Sequence, residues 1–264
     1  MEIKKYTPII LLGAALLMAS CKKDTTNTTT SLPVVEAYLM AGNAISVKLY
    51  QQKALTDTTT YGAPITGQQL SISDGSSTVQ LAETAKGTYT YSSTVFLTAG
   101  KTYTLTFTYQ ASKVTAKTTM PVKPADFATQ YASVSPTAPS GPNAAPDTIN
   151  RFTWTNPDSL NHVLVFRNPD GTNFPLGSRR FNAKADFELN TDRKSVFYVT
   201  TNDIPFYGHY KVILLRVNQE YIDLLKSNTG RATSQNLVNT PANITNGFGI
   251  FTAMQADTVN FNVL

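Results

Sequence analysis

Apolar and polar residues alternate strictly over Thr102–Tyr109, and shorter runs with the same period recur along much of the chain. Tyr103, Leu105 and Phe107 fall on one side of this segment, and threonines fall on the other. A period of two is typical of a β-strand that buries one face. Because residues 32–120 show this pattern repeatedly and no helical period, the sequence predicts an all-β fold.

A Pro- and Ala-rich segment over residues 121–149 separates two groups of predicted strands. Such composition is typical of a junction between domains. We therefore predict two β-sandwich domains in tandem, of immunoglobulin-like or prealbumin-like type. The first covers residues 32–122, and the second, a fibronectin III-like sandwich, covers residues 123–264.

One predicted strand of the second half, Tyr210–Val217, is apolar on both faces. A sandwich strand normally buries one face, so a second element should cover the other. Tyr221, Leu224 and Leu225 follow at helical spacing, and Gly230 lies just beyond them. This pattern predicts a short helix near residues 219–227 that packs on the second sandwich.

Cys21 is the only cysteine, and it follows an N-terminal segment typical of export. Lys4 and Lys5 precede an apolar run that is shorter than the ~20 residues a membrane span needs. The small residues before Cys21 resemble the lipobox of bacterial lipoproteins, whose cleavage leaves an acylated N-terminal cysteine. We predict a signal peptide over residues 1–20, lipidation of Cys21 and a flexible tether over residues 21–31.

Catalytic and metal-binding motifs are not apparent in the sequence. The two histidines, His162 and His209, have no partner at metal-ligand spacing, and no nucleophile elbow or phosphate loop occurs. The formal charge of +5 comes from scattered basic residues, which argues against nucleic acid as a partner. We expect no cofactor, no metal and no enzymatic activity.

The sequence leaves one kind of active site open, a pair of carboxylates, because glycosidases need only two carboxyl groups at a suitable distance. The available residues occur mostly in polar, turn-like segments: Asp170, Asp186, Glu188, Asp192 and Asp203. Residues 168–173 also have oxygen donors at alternate positions, but a plain hairpin turn explains them better than a calcium loop.

A candidate ligand surface lies in the aromatic turn that precedes the strand Tyr210–Val217. Phe206, Tyr207 and His209 occur there together, and a turn is harder to bury than a strand face. Trp154, the only tryptophan, lies instead on an apolar strand face and is predicted to be a core residue.

Several segments together resemble a family of Bacteroidota outer-membrane lipoproteins described as domain of unknown function 4249. The segments are Val34–Leu39, Ile72–Gly75, Gly100–Leu105, Thr119–Pro121, Tyr221–Leu225 and Asn246–Phe251. The resemblance implies a lipid-anchored protein of the outer membrane, on its periplasmic or its outer surface, and it implies no activity.

Two classes of function follow from these observations. The first is a non-enzymatic binding or accessory subunit of the cell envelope, whose partner is a TonB-dependent transporter or whose ligand is a glycan. The second is a structural or adhesive spacer, or a glycan-binding surface lipoprotein.

Replacing the lipidation residue tests the predicted anchor. Cys21→Ser removes the thiol that would carry the acyl chains, so the variant should lose palmitate labelling and move from the detergent phase to the aqueous phase. Equal partitioning of both proteins would show that Cys21 anchors nothing.

Overall fold

The computed structural model describes residues 32–52, 61–137, 146–170, 174–176, 184–229 and 243–264. Cys21, the predicted signal peptide and the predicted tether lie outside these ranges. Within them the chain is mostly β-strand with one short helix, which confirms the predicted all-β class. The elements are β1 (Pro33–Met40), β2 (Ile45–Gln51), β3 (Leu70–Ser73), β4 (Thr78–Ala85), β5 (Thr88–Tyr91), β6 (Thr102–Tyr109), β7 (Ser112–Thr119), β8 (Ala125–Thr129), β9 (Ser133–Val134), β10 (Thr148–Thr155), β11 (His162–Arg167), β12 (Phe187–Asn190), β13 (Val196–Thr200), β14 (Gly208–Val217), α1 (Gln219–Thr229), β15 (Ile244–Thr245) and β16 (Phe248–Val263).

The first hydrophobic core lies between two layers of one sheet that share the strand β4. On one side β4 pairs with β5, and on the other it pairs with β3. Val35 of β1 and Ile72 of β3 belong to the same buried cluster, although they come from opposite layers. Tyr103, Leu105 and Phe107 of β6 enter this core as their alternation predicts.

The second core lies between a four-stranded layer, β12-β11-β14-β16, and a separate three-stranded sheet, β13-β10-β8. The ring of Phe152 on β10 makes edge contacts with Phe166 at 5.8 Å and Phe261 at 5.7 Å. Trp154 is only 4% exposed, which confirms its predicted core position. Two facing antiparallel layers around an aromatic core are the arrangement of an immunoglobulin-like sandwich.

Helix α1 covers the outer face of the second sandwich, as the two-faced strand predicts. Leu214 of β14 points into the second core, whereas Leu215 and Val217 point to the opposite face. There they form a third cluster with Tyr221 and Ile222 of the helix. The helix therefore removes from water an apolar surface that a plain sandwich would leave exposed.

Polar contacts fix the first turn of α1 to β7 and β16. Oε1 of Glu220 accepts hydrogen bonds from the hydroxyls of Thr118 (2.7 Å) and Thr252 (3.2 Å). Just before the helix, the Asn218 amide donates to the backbone oxygen of Thr119 at 2.8 Å. Because Thr118 and Thr252 are buried, their hydroxyls cannot bond to water, and Glu220 supplies the hydrogen-bond partner that they need.

Strand β16 runs without interruption from Phe248 to Val263 and pairs with two different strands in turn. Its first part pairs with β1 in parallel, from Phe248 to Met254. From Met254 onward it pairs antiparallel with β14. The polar residues between the two apolar runs thus stay in the strand because a backbone partner is present throughout.

Both faces of β16 carry buried side chains. Phe251 packs in the first core, Phe261 in the second, and Met254 in the cluster beneath α1. Residues 32–264 accordingly form one compact unit. The division of the chain at residues 122 and 123 stays a prediction.

A turn at Asp74-Gly75, a residue pair typical of hairpin turns, closes the hairpin of β3 and β4. The Asp74 carboxylate accepts hydrogen bonds from the backbone amides of Ser76 (2.9 Å) and Ser77 (2.7 Å) and from Nζ of Lys101 (2.5 Å). The bond from Lys101, followed by those from the backbone, lowers the pKa of Asp74 to about 2. The turn is thus tied to the start of β6, which Lys101 precedes.

The parallel pairing of β1 and β16 depends on Gly249. Its φ is +99°, and a Cβ added there would lie 2.0 Å from the backbone oxygen of Val35. We predict that Gly249→Ala lowers the free energy of unfolding by more than about 3 kcal/mol. The added Cβ would strain the backbone at residue 249 and would also push β1 away from β16.

Gly42 is the matched control for this substitution, because its φ is +85° and no atom lies within 4 Å of an added Cβ. Gly42→Ala should cost only the conformational strain, about 1–2 kcal/mol. Urea unfolding of both variants measures the difference. Equal losses would contradict a close contact between β1 and β16.

Candidate functional site

The sequence-predicted ligand surface is only partly exposed. Phe206 is 7% exposed, and its backbone oxygen accepts the hydroxyl of Tyr210 at 2.8 Å. An isolated bridge to Pro175 also holds it in place. Little of the Phe206 side chain is therefore available to a ligand, and its place in a ligand surface stays a prediction.

An exposed aromatic pair does exist beside this turn, but its second ring comes from Phe174. That side chain is 72% exposed, and its ring lies 5.8 Å from the half-buried ring of Tyr207. His209 is exposed, with Nδ1 2.6 Å from a carboxylate oxygen of Asp170. His209 is thus exposed and Tyr207 is half-buried, and their role in a ligand surface stays a prediction. Phe174 carries no periodic signal in the sequence.

The other histidine is a structural residue. His162 is 2% exposed, its ring centroid lies 5.8 Å from that of Trp154, and its Nδ1 lies 3.1 Å from the backbone oxygen of Leu160. Burial lowers the pKa of His162, which favours the neutral ring.

Two of the carboxylates that the sequence left open have separate local partners. Asp186 accepts from Arg167 at 3.0 Å, and Asp203 accepts from the hydroxyl of Thr200 at 2.8 Å. In the described ranges no group of three or more His, Cys, Asp or Glu residues is arranged to hold a metal ion. Glu188 is different, because its partner is a tyrosine phenol.

Four tyrosines and three charged residues from β1, β2, β12, α1 and the segment after β2 form a surface that we call the tyrosine stripe. Its members are Tyr38, Tyr50, Tyr61, Tyr221, Glu36, Glu188 and Lys48.

The two strands supply the centre of the stripe. Glu36 of β1 lies directly opposite Lys48 of β2, and Tyr38 and Tyr50 follow two residues further along their strands. Since side chains at i and i+2 share a face, both tyrosines point away from the first core. Tyr38 is 41% exposed, so its ring is accessible.

Ring contacts extend the stripe to both sides. The ring of Tyr221 lies 6.2 Å from that of Tyr38 at an interplanar angle of 83°. The ring of Tyr61, which is 44% exposed, lies 5.2 Å from that of Tyr50 at 67°. Nζ of Lys48 lies 4.9 Å from the centroid of the Tyr61 ring, within the range of a cation–π contact.

The two carboxylates affect the ionisation of the phenols. Burial and then the charge of Glu36 raise the pKa of Tyr38 to about 12, and the same causes raise the pKa of Tyr50 to about 12. Burial followed by the charge of Glu188 raises the pKa of Tyr221, whose hydroxyl donates to Glu188 at 2.9 Å. These phenols are therefore neutral hydrogen-bond donors at physiological pH.

The stripe is the functional candidate that sequence reasoning missed. A period-two signal places Glu36 with Tyr38, and Lys48 with Tyr50, but nothing local indicates that Tyr221 and Glu188 join them.

The family model described as "Domain of unknown function (DUF4249)" matches residues 22–259. The chain belongs to this family. No curated protein matches the DUF4249 chain. Within the described ranges, no helix of this chain has both the length and the apolar character needed to cross a bilayer.

Solved structures similar to the DUF4249 chain include a crystal structure of chicken CNTN1 FN1–FN3 domains, with 11% identity, 71% of this chain and 59% of that chain covered, and a TM-score of 0.28. Trypsin-activated alpha-2-macroglobulin from Escherichia coli has 10% identity, 71% and 14% coverage, and a TM-score of 0.23. A chimeric titin Z1Z2 functionalized with a KLER exogenous peptide from decorin has 13% identity, 89% and 97% coverage, and a TM-score of 0.24. The DUF4249 chain thus spans less than two thirds of the first two structures.

The raised pKa values predict how the stripe responds to alkaline pH. A folded-state pKa above the unfolded value of about 10 gives stability that is complete below pH ~10. For Tyr38 and Tyr50 this stability is lost as the pH rises towards the folded value of about 12.

Neutralising each carboxylate separately tests the arrangement, and ¹³C tyrosine NMR against pH is the measurement. Glu36→Gln should lower the pKa of Tyr38 and Tyr50, and Glu188→Gln should lower the pKa of Tyr38 and Tyr221. Each variant is the control for the other, because only Tyr38 should respond to both. A response of Tyr50 to Glu188→Gln would contradict this geometry.

Proposed function

We propose that the mature DUF4249 chain is a lipid-anchored binding or accessory subunit of the outer membrane, without catalytic activity of its own. The tyrosine stripe is the surface that binds, and a TonB-dependent transporter is the expected partner.

The observation that carries this proposal is the exposed stripe itself. Tyr38 and Tyr61 present accessible rings, and Glu36 and Glu188 add hydrogen-bond acceptors beside them. Tyrosine is enriched in protein interfaces because one side chain supplies a large apolar area and a polar tip with little conformational entropy to lose. A row of such rings on strands is a suitable contact surface for a partner.

The lipobox-like segment at Cys21 supports the location. Acyl chains on that residue would hold the protein at a membrane, and more than one chain is needed for stable attachment. Binding to a partner in the same membrane then needs less intrinsic affinity, because anchoring both proteins raises their effective concentration.

A second function, glycan binding, is favoured by the aromatic pair beside the turn. Phe174 and Tyr207 meet at 5.8 Å with an interplanar angle of 48°, next to the exposed His209–Asp170 pair. Exposed rings beside polar groups suit the two faces of a sugar. In this alternative the stripe has no ligand, and the protein acts as a glycan-binding or adhesive surface module.

Site-specific photo-crosslinking in intact cells tests the proposal. A photoreactive phenylalanine analogue in place of Tyr38 should crosslink to an outer-membrane transporter. The same analogue in place of Tyr198, which is 56% exposed on β13, is the matched control and should give no such product.

Two results would count against the stripe as the binding surface. One is equal crosslinking from positions 38 and 198. The other is a Tyr38→Ala protein that recovers the transporter as well as the native protein does, while Phe174→Ala abolishes binding to a glycan array.

A further inference from the structure

The two carboxylates of the tyrosine stripe lie next to phenols, and neither forms a salt bridge among the described residues, although Lys48 lies opposite Glu36 on β2. Tyr221 donates to Glu188 at 2.9 Å, and Glu36 lies close enough to Tyr50 for its charge to raise the pKa of that phenol. Among the described residues, the acidic members of ion pairs are others: Asp74, Asp170, Asp186 and Asp257. A carboxylate that accepts from a neutral phenol keeps its full negative charge.

The rings between these carboxylates are suited to positive charge. The face of a tyrosine ring carries the negative part of the quadrupole and attracts ammonium and guanidinium groups. Within the stripe this contact already occurs once, since Nζ of Lys48 lies 4.9 Å from the centroid of Tyr61. Tyr38 has no such cation in the described structure, and it lies close enough to Glu36 and Glu188 for both charges to raise its pKa.

From this geometry we propose that the tyrosine stripe binds the Lys or Arg side chains of a basic protein segment, with Tyr38 receiving the cation between Glu36 and Glu188. The inference rests on the proposed function and names the chemistry of the partner. Glu36 and Glu188 outnumber Lys48, so the stripe keeps a net negative charge. Charge complementarity therefore favours a basic segment over a neutral glycan, because a sugar hydroxyl gains no net Coulombic attraction from that charge.

Exposure of the carboxylates sets how strong this preference is. Glu188 is exposed and Glu36 is half-buried, so salt screens an approaching cation at Glu188 more than at Glu36. Binding should therefore weaken, but not vanish, as the ionic strength rises. A neutral ligand would show little salt dependence.

Titration calorimetry on the full lipidated chain in detergent tests the proposal with three probes. The first is a peptide in which Lys alternates with Gly-Ser spacers, the second is the same peptide with Gln in place of Lys, and the third is maltohexaose. The Lys peptide should bind more tightly than the Gln peptide. The double variant Glu36→Gln/Glu188→Gln should weaken its binding about tenfold or more, and Tyr38→Ala should do the same.

A matched control removes the same number of negative charges elsewhere. Asp158→Asn/Asp192→Asn changes two exposed carboxylates outside both candidate surfaces, so it should leave the affinity for the Lys peptide within about twofold of the native value. Circular dichroism of each variant confirms that the fold is retained. A control that weakens binding as much as Glu36→Gln/Glu188→Gln would overturn the proposal, since net charge alone would then explain it.

The remaining outcomes separate this inference from the proposed function. If Tyr38→Ala weakens the Lys and Gln peptides equally, or if maltohexaose binds more tightly than the Lys peptide and depends on Tyr38, the cationic ligand is wrong and the stripe is still a binding surface. If Tyr38→Ala changes the binding of no probe and the Tyr38 crosslink is absent, both proposals fail.

Discussion

Strand β16 joins the described parts of the molecule, because its two faces contribute side chains to all three hydrophobic clusters. Phe251 packs in the first core, Phe261 in the second and Met254 beneath the helix. Its backbone pairs first with β1 and then with β14, so one sheet passes from the first half of the molecule to the second. A shift of one residue in this strand would exchange its faces, and buried side chains in every cluster would then point the wrong way.

Sequence reasoning succeeded where structure depends on residues close together in the chain. The alternation of β6, the Asp74-Gly75 turn and the helix near residues 219–227 each follow from local patterns, and each appears in the structure. The helix is the most informative case. Its presence and its packing partner both follow from one strand, Tyr210–Val217, whose second apolar face is not buried in the sandwich core.

Contacts between distant parts of the chain were beyond the same reasoning. No periodicity indicates that β1 pairs in parallel with β16, at the other end of the sequence. Phe206 was expected at the surface because it lies in a turn, yet its side chain is 7% exposed and its backbone forms a bridge with Pro175, 31 residues earlier in the chain. The stripe is partly local and partly long-range. The alternating pattern of β1 and β2 places their residues on one face, whereas Tyr221 and Glu188 reach the stripe only through the packing of α1 and β12.

Tyr221 connects the stability of the fold with the geometry of the stripe. It is 9% exposed in the cluster beneath α1, while its ring edge contacts Tyr38 and its hydroxyl binds Glu188. The side chain that orients the carboxylate is therefore held by core packing and has little freedom to lose when a ligand binds. Surfaces arranged in this way spend less of the binding free energy on ordering side chains. The polar anchor of the helix, in which Glu220 binds Thr118 and Thr252, keeps Tyr221 in register with β1. Interactions that stabilise the junction of the two halves thus also preorganise the surface to which we assign binding.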